Sequence, residues 1–338
     1  MVSFELARTL ADEVLFPAAA EVDAAGAVPR SHFDLLAEHG FYGAVAPREH
    51  GGPELPLDEA GRIVEALSGG CLSTAFVWAQ HHGVVRGLLS TERTELRDRH
   101  LDDAVRGKLR GGVSFAGAIP QPPRLHAVPV DGGYRFTGEA PFVSGWGIVD
   151  VLQVSARDGD SVVNAFLDAR PAPGIRVEPL RLVAAQATAT VRLWFDDHFV
   201  PAERVLGVVP HSAVLAAQAG AARLNGAMPL GIAGRCTRLI ADAGRPEVAE
   251  RLEADRDAVR DGLDQAFATG ADIAPARAAA AELALRAAGA LVTAAGSSAL
   301  LLGEHGQRLV REATFTLVAA SRPPIKDGIL ALLAGGAR

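Results

Sequence analysis

The sequence predicts an α+β protein in three stretches: helices over residues 1–108, a small antiparallel β-barrel or sheet over 109–207, and a helical bundle over 208–338. Three observations carry that prediction. Apolar residues recur at spacings of three and four up to about Gly107, the period of a single helix face. Period-two alternation broken by turn chemistry follows as far as Leu206, and helical periodicity returns from His211 onward. A chain of 338 residues is long enough to bury a large core in two or three layers.

In the first stretch the helical pattern runs through FELARTLADEVL, HFDLLAEHGF, DEAGRIVEALS and STAFVWAQHHGVVRGLLS, separated by Pro and Gly breakers. The opening segment carries acids throughout and lacks a basic start before an apolar core, so it is read as an amphipathic helix and not as a signal peptide. The middle stretch holds VPVDGGYRF, IVDVLQVSARDGDSVVNAFLDA and ATATVRLWFDD, with hairpin turns at Asp131-Gly132-Gly133 and Arg157-Asp158-Gly159-Asp160. In its last strand Val191, Leu193 and Phe195 share one face, and Thr190, Arg192 and Trp194 the other. The third stretch is helical from Ser212 to about Ala320, where Arg322-Pro323-Pro324 breaks it before a short terminal helix. Within it the uncharged run Ala287 to Gly303 falls short of the roughly 20 residues a membrane span needs and is expected as a buried bundle helix.

Apolar residues make up 49% of the chain and the formal charge is -7 with no basic stripe, which argues against nucleic acid and membranes as partners. Cys71 and Cys236 are the only cysteines, with no CxxC and no His at metal spacing, so no disulfide framework and no metal site is expected, and a reducing, cytoplasmic setting is. The adjacent His81 and His82 would point about 100° apart on a helix, which does not suit one shared metal. One segment stands out. GEAPFVSGWGIVDV (138–151) begins and ends like a strand, yet Ser144, Gly145, Trp146 and Gly147 fill its middle. A buried Ser144 hydroxyl needs a partner, either a ligand atom or a neighbour within a β-bulge at Ser144-Gly145.

Three segments resemble acyl-CoA dehydrogenases, a family of flavoproteins: APREHGG (46–52) the loop closing their third helix, FVSGWGIVDVLQVSAR their flavin-facing strand, and FDDHFVPAERVLG (195–207) their exit from the β-domain. The resemblance implies that fold, FAD as cofactor, an acyl-CoA or acyl-carrier thioester as substrate, and a homo-oligomer, dimer or tetramer. It carries cofactor contacts onto Phe115, Gly117, Ala118, Phe142, Val143 and Ser144, with the Ser144 hydroxyl offered to the flavin N5 region. The flavin in this family lies between the β-domain and the bundle, so the absence of a GxGxxG strand–helix turn is consistent with it.

The sequence departs from the family at its catalytic Glu. In REATFTLVAASRPPI (311–325) one home of that base falls on Ala320, and in AARLNGAMPLGIA (221–233) the other falls on Ala222. Ala320 keeps the backbone N–H that the family uses to polarise the thioester carbonyl. Glu304 and His82 are then the candidate catalytic residues, with His305 beside Glu304 and Glu312 next to Arg311 in an expected ion pair. Where the family has Thr-Glu-Pro this chain has Ala118-Ile119-Pro120, and an Arg-x-x-Phe-Gly segment that reaches the partner's flavin is missing after LIADAG. Three functions stay open: an FAD-dependent oxidoreductase on an acyl thioester; a flavin monooxygenase of the same superfamily, suggested by Phe142-Val143-Ser144-Gly145; and a non-catalytic subunit paired with a paralogous, Glu-bearing chain.

Overall fold

The computed structural model describes residues 2–335. Helices α1 (Phe4–Leu10) and α2 (Phe16–Ala25) run into one another through a π-helical turn at Ala11–Leu15. The Ser3 hydroxyl caps the start by accepting the Leu6 N–H at 3.2 Å, and Gly26 ends α2 at φ 63°, the left-handed conformation that only glycine adopts freely. Helices α3 (Arg30–Glu38), α4 (Leu57–Gly70), α5 (Leu72–Ser90) and α6 (Thr94–Val105) complete the first stretch.

The strands are β1 (Gly111–Ser114), β2 (Leu125–Val130), β3 (Gly133–Val143), β4 (Val151–Asp158), β5 (Ser161–Asp168), β6 (Ile175–Pro179), β7 (Val191–Pro201) and β8 (Val205–Pro210). They form one sheet in the order β6-β7-β3-β2-β4-β5-β8, with β1 joined to β4. Both expected hairpins are present, since Val130 pairs with Gly133 and Asp158 with Ser161 across two-residue turns. The expectation of a purely antiparallel sheet is corrected: β1 and β2 each run parallel to β4, so the sheet is mixed. Tight hairpins force antiparallel pairing only between consecutive strands, and neither of these strands is joined to β4 by one. Val191, Leu193 and Phe195 are buried on one face of β7 as the alternation predicts, packed with Phe136, Val154 and Val163.

The bundle consists of α7 (His211–Ala216), α8 (Gln218–Asp242), α9 (Pro246–Thr269), α10 (Ala274–Ala295), α11 (His305–Val318) and α12 (Pro323–Leu333). Only a small cluster of Ala274, Ala278, Ala281, Ile325 and Ile329, between α10 and α12, belongs to the bundle alone; its main core is shared. Leu10, Leu15 and Leu67 from the first stretch pack with Leu230, Leu283 and Leu309 in one continuous hydrophobic cluster. Where α4 crosses α8 the helices touch closely, and a Cβ on Gly69 would lie 2.8 Å from the Gly231 carbonyl oxygen. Beside that crossing the Glu65 carboxylate of α4 accepts two hydrogen bonds from Arg260 of α9, at 2.6 and 2.9 Å, with both side chains buried.

The run from Ala287 to Gly303 is only partly the buried helix expected of it. Helix α10 ends at Ala295, a 3-10 turn covers Gly296–Leu300, and Leu300, Leu301 and Leu302 are exposed. Gly296 at φ 73° breaks the helix before the apolar run ends. By length and composition alone Ala274–Leu300 could cross a membrane; here its Leu283, Ala284, Ala287 and Leu291 face is packed in the shared core.

Candidate functional site

The site is built first from the end of β3. Register slips between Ala140 and Val143 where β3 pairs with β7, and Phe142 sits at φ 53°, so the bulge falls one or two residues ahead of the expected Ser144-Gly145. Phe142 is thereby turned outward, 62% exposed, while Val143 is fully buried among Val191 and Leu193. Val143 therefore supports the sheet from within, and only Phe142 of that pair presents its side chain to a ligand. The correction follows from strand alternation.

Ser144 is buried, and its hydroxyl faces Thr190: the two oxygens lie 2.6 Å apart, Thr190 lies 2.7 Å from Thr188, and Thr188 donates to the Ala185 carbonyl at 2.7 Å. Each hydroxyl has one proton, so the carbonyl at the end fixes the direction of the whole chain. Thr188 gives its proton to Ala185, Thr190 gives its own to Thr188, and Ser144 gives its own to Thr190. What the Ser144 hydroxyl can still offer a ligand, the expected flavin N5 region included, is a lone pair. Backbone bonds from Gly145 to Thr188 and from Trp146 to Ala189, at 2.8 and 3.2 Å, hold the two segments together. The 180–190 segment is tied in turn to α11, because Arg311 donates to the Val183 carbonyl at 3.0 Å and grips Asp23 at 2.5 and 2.9 Å.

The remaining proposed cofactor contacts divide. Gly117 accepts the Arg124 and Leu125 N–H groups at 2.8 and 3.0 Å, and a Cβ on it would come within 2.7 Å of the Glu139 carbonyl, so its role is close packing on β3. Ala118 is fully buried, with its carbonyl accepting from Arg157 at 3.3 Å. Both are buried, whereas Phe115 is half-buried.

Each base candidate is placed by its own surroundings, not by Ala222 or Ala320, where the resemblance puts a catalytic Glu. Glu304 is exposed at the start of α11, whereas Ala320 follows that helix's end, about 20 Å away at 1.5 Å per residue. His82 is buried between the Phe41 and Ala79 carbonyls, 3.2 and 3.3 Å from its ring nitrogens, and burial pushes its pKa down to about 4. His81 is held by both nitrogens, Nε2–H donating to the Ala104 carbonyl and Nδ1 accepting the Gly111 N–H, each at 3.0 Å, which makes it a staple between α5, α6 and β1. His305 stacks on Phe16 with ring centroids 4.1 Å apart. Glu312 is buried and raised in pKa by desolvation, but its partner is Arg308 at 2.6 Å and not the neighbouring Arg311, because residues four apart share a helix face. Among the described residues no group of three or more His, Cys, Asp or Glu is placed to hold a metal.

Ala320 itself is exposed at φ 52°, in the turn after α11. Beneath it lies a residue the sequence reading passed over. Arg277 of α10 is 1% exposed, and its Nη2 donates to the Thr316 and Ala319 carbonyls at 3.0 and 3.3 Å. Its Nε and Nη1 are buried with no hydrogen-bond partner among the described residues, and burial pushes its pKa down to about 10. On its other side a Cβ at Gly226 of α8 would sit 3.5 Å from the Arg277 Cδ, and Ala222 is one turn before Gly226 on the same helix face. The Arg277 side chain thus lies between Gly226 of α8, one turn from Ala222, and the Ala319 carbonyl, one residue from Ala320.

Comparison with known proteins agrees with this architecture. Residues 4–108 match the pattern described as the acyl-CoA dehydrogenase N-terminal domain. The chain is 31% identical over 202 residues to benzylmalonyl-CoA dehydrogenase of Aromatoleum aromaticum, a match covering 56% of this chain and 52% of that one. It is 30% identical over 200 residues to the oxygenase component of the FADH2-dependent resorcinol hydroxylase of Rhizobium sp., covering 56% of this chain and 45% of that one. These matches span about half the length of either relative. In fold the chain is similar to butyryl-CoA dehydrogenase from Megasphaera elsdenii, with a TM-score of 0.83 at 19% identity over 98% of this chain and 97% of that one. Residues 4–108 thus belong to the acyl-CoA dehydrogenase N-terminal domain family, and the helical, mixed-sheet and bundle segments together have the acyl-CoA dehydrogenase fold.

Proposed function

We propose that this protein binds FAD and an acyl thioester and acts on the thioester as an oxidoreductase. The observation that carries this reading is the end of β3, where an exposed aromatic ring, Phe142, stands beside a buried Ser144 whose lone pair is directed by the Thr190–Thr188 chain. Those groups suit the ring system of a flavin, with Phe142 against its face and Ser144 accepting an N–H from its edge; Phe115, half-buried, is the other ring that the resemblance assigns to it. When bound, the flavin supplies a two-electron acceptor. The Ala320 N–H, at the exposed turn after α11, is the donor to the thioester carbonyl in this reading, an oxyanion contact that needs no side chain. Neither Ala222 nor Ala320 can take a proton, and a positioned base contributes about a hundredfold to ten-thousandfold. Proton abstraction from the thioester by this chain alone is therefore expected to be slow.

A second reading is favoured by the direction of the hydroxyl chain. An acceptor at Ser144 suits the reduced flavin, whose N5 carries a hydrogen, better than the oxidised one, and this supports an oxygenase that takes up reduced flavin. One experiment tests both. The visible spectrum of the purified protein is followed with FAD and a panel of acyl-CoAs without oxygen, and oxygen uptake is then measured with chemically reduced FAD. Bleaching by a thioester supports the first reading, and oxygen uptake coupled to product the second. No retention of flavin in either form would exclude both and direct attention to a paralogous, Glu-bearing partner chain.

A further inference from the structure

Among the described residues each buried charged side chain meets an opposite charge or a full set of carbonyls, with one exception. Arg223 meets Asp264 at 2.5 Å, Arg260 meets Glu65 at 2.6 Å, Arg308 meets Glu312 at 2.6 Å, and Arg235 pairs with Asp12. Arg157 has no carboxylate, but each of its nitrogens donates to a backbone carbonyl. Arg277 has neither arrangement. Two carbonyls at the end of α11 share its Nη2, while Nε and Nη1 go without. The negative end of the α11 dipole offsets part of its charge. Yet a buried guanidinium with unpaired N–H groups costs several kcal/mol, which an apolar side chain of similar volume would avoid.

The surroundings point to an anion that arrives from outside. The residue packed on the Arg277 stem from α8 is Gly226, and the carbonyl that meets its Nη2 after α11 is that of Ala319, neither with a side chain larger than a methyl group. The backbone that covers it is the half-buried Ala319 and the exposed Ala320, so only one turn of chain separates Arg277 from solvent. That turn is also where the thioester is placed above, and the inference rests on that placement.

We infer that Arg277 is a specificity residue: its unpaired N–H groups receive a carboxylate carried by the acyl group, so that the substrate class is thioesters of dicarboxylic acids. The carboxylate completes the hydrogen bonding that Nε and Nη1 lack and neutralises the buried charge. No covalent step is involved.

The test is equilibrium binding by calorimetry to the full chain with its flavin, comparing succinyl-, glutaryl- and adipoyl-CoA with butyryl-, pentanoyl- and hexanoyl-CoA. At one or more of the three chain lengths the acid is expected to bind about ten- to a hundredfold more tightly than its neutral counterpart, the range for charge-assisted hydrogen bonds. Arg277→Met should abolish that preference, bringing the acids to the affinity of their neutral counterparts, and Arg277→Lys should retain part of it. If Arg277→Met does not fold, Arg277→Lys decides, because a preference as large as that of the unaltered protein would overturn the proposal. Equal binding of acidic and neutral thioesters by the unaltered protein overturns it and leaves the thioester site standing. Binding of none of the six overturns the thioester site, and this assignment with it.

Discussion

Ser144 and His82 show how a side chain's partners decide what it can do. With its only proton committed to Thr190, Ser144 acts on a ligand as an acceptor, and in the flavin reading it stabilises the reduced ring. Ser144→Ala should therefore lower the midpoint potential of bound flavin by about 10–30 mV, the equivalent of one neutral hydrogen bond in a two-electron couple. Dye equilibration measures it, and an unchanged potential would remove Ser144 from the flavin edge. His82 makes a prediction about pH. Its folded pKa of about 4 lies below the ordinary 6.5, so between those values the unfolded chain binds the proton and the folded one does not. Stability is then complete near pH 7 and is lost as pH falls through that window, by ~2 kcal/mol at pH 5 from this one residue. Urea midpoints at pH 7 and pH 5 should show the loss, and His82→Gln should reduce it. His305, also pushed down to about 4 by burial, acts in the same direction.

Among the elements, the contact of α4 with α8 and α9 joins the first helical stretch to the last. Glu65 is the buried acid there, accepting from Arg260 at 2.6 and 2.9 Å and lying 3.3 Å from Arg256. Removing one member of a buried pair leaves the other charge uncompensated, at a cost of about 3–5 kcal/mol. Glu65→Ala is expected to lose that much in denaturant unfolding, whereas Glu65→Ala combined with Arg260→Leu should recover a large part of it. A double variant no more stable than Glu65→Ala would mean that the pair is not what joins these helices. Nothing local in the sequence sets Glu65 apart, since a salt bridge between residues 195 positions apart leaves no local trace.

For the whole molecule, one hydrophobic cluster runs through helices from both ends of the chain, and Arg235–Asp12 and Arg311–Asp23 cross the same boundary. A fragment of residues 1–108 leaves the Leu15, Ile63 and Leu67 side uncovered, and we expect it to lack cooperative unfolding by circular dichroism, while the full chain loses its helices in one transition. A cooperative fragment would show that the first stretch folds on its own. Helix periods, the Asp131-Gly132 and Gly159-Asp160 turns and the β7 face were legible in the sequence because each depends on residues only a few positions apart. The same local pattern held a hint that went unused: Arg277 shares a helical phase with Ala280, Ala281 and Ala284, which are all buried. The proton direction through Ser144, the partner of Glu312 and the approach of Arg277 to the Ala319 carbonyl could not be read that way. By itself the sequence determined the three-part fold and the strand that resembles a flavin site, since helix period, strand alternation and turn chemistry are short-range. Only the tertiary structure decided which groups are left unpaired, because burial and hydrogen-bond partnership depend on residues that the chain brings together from far apart.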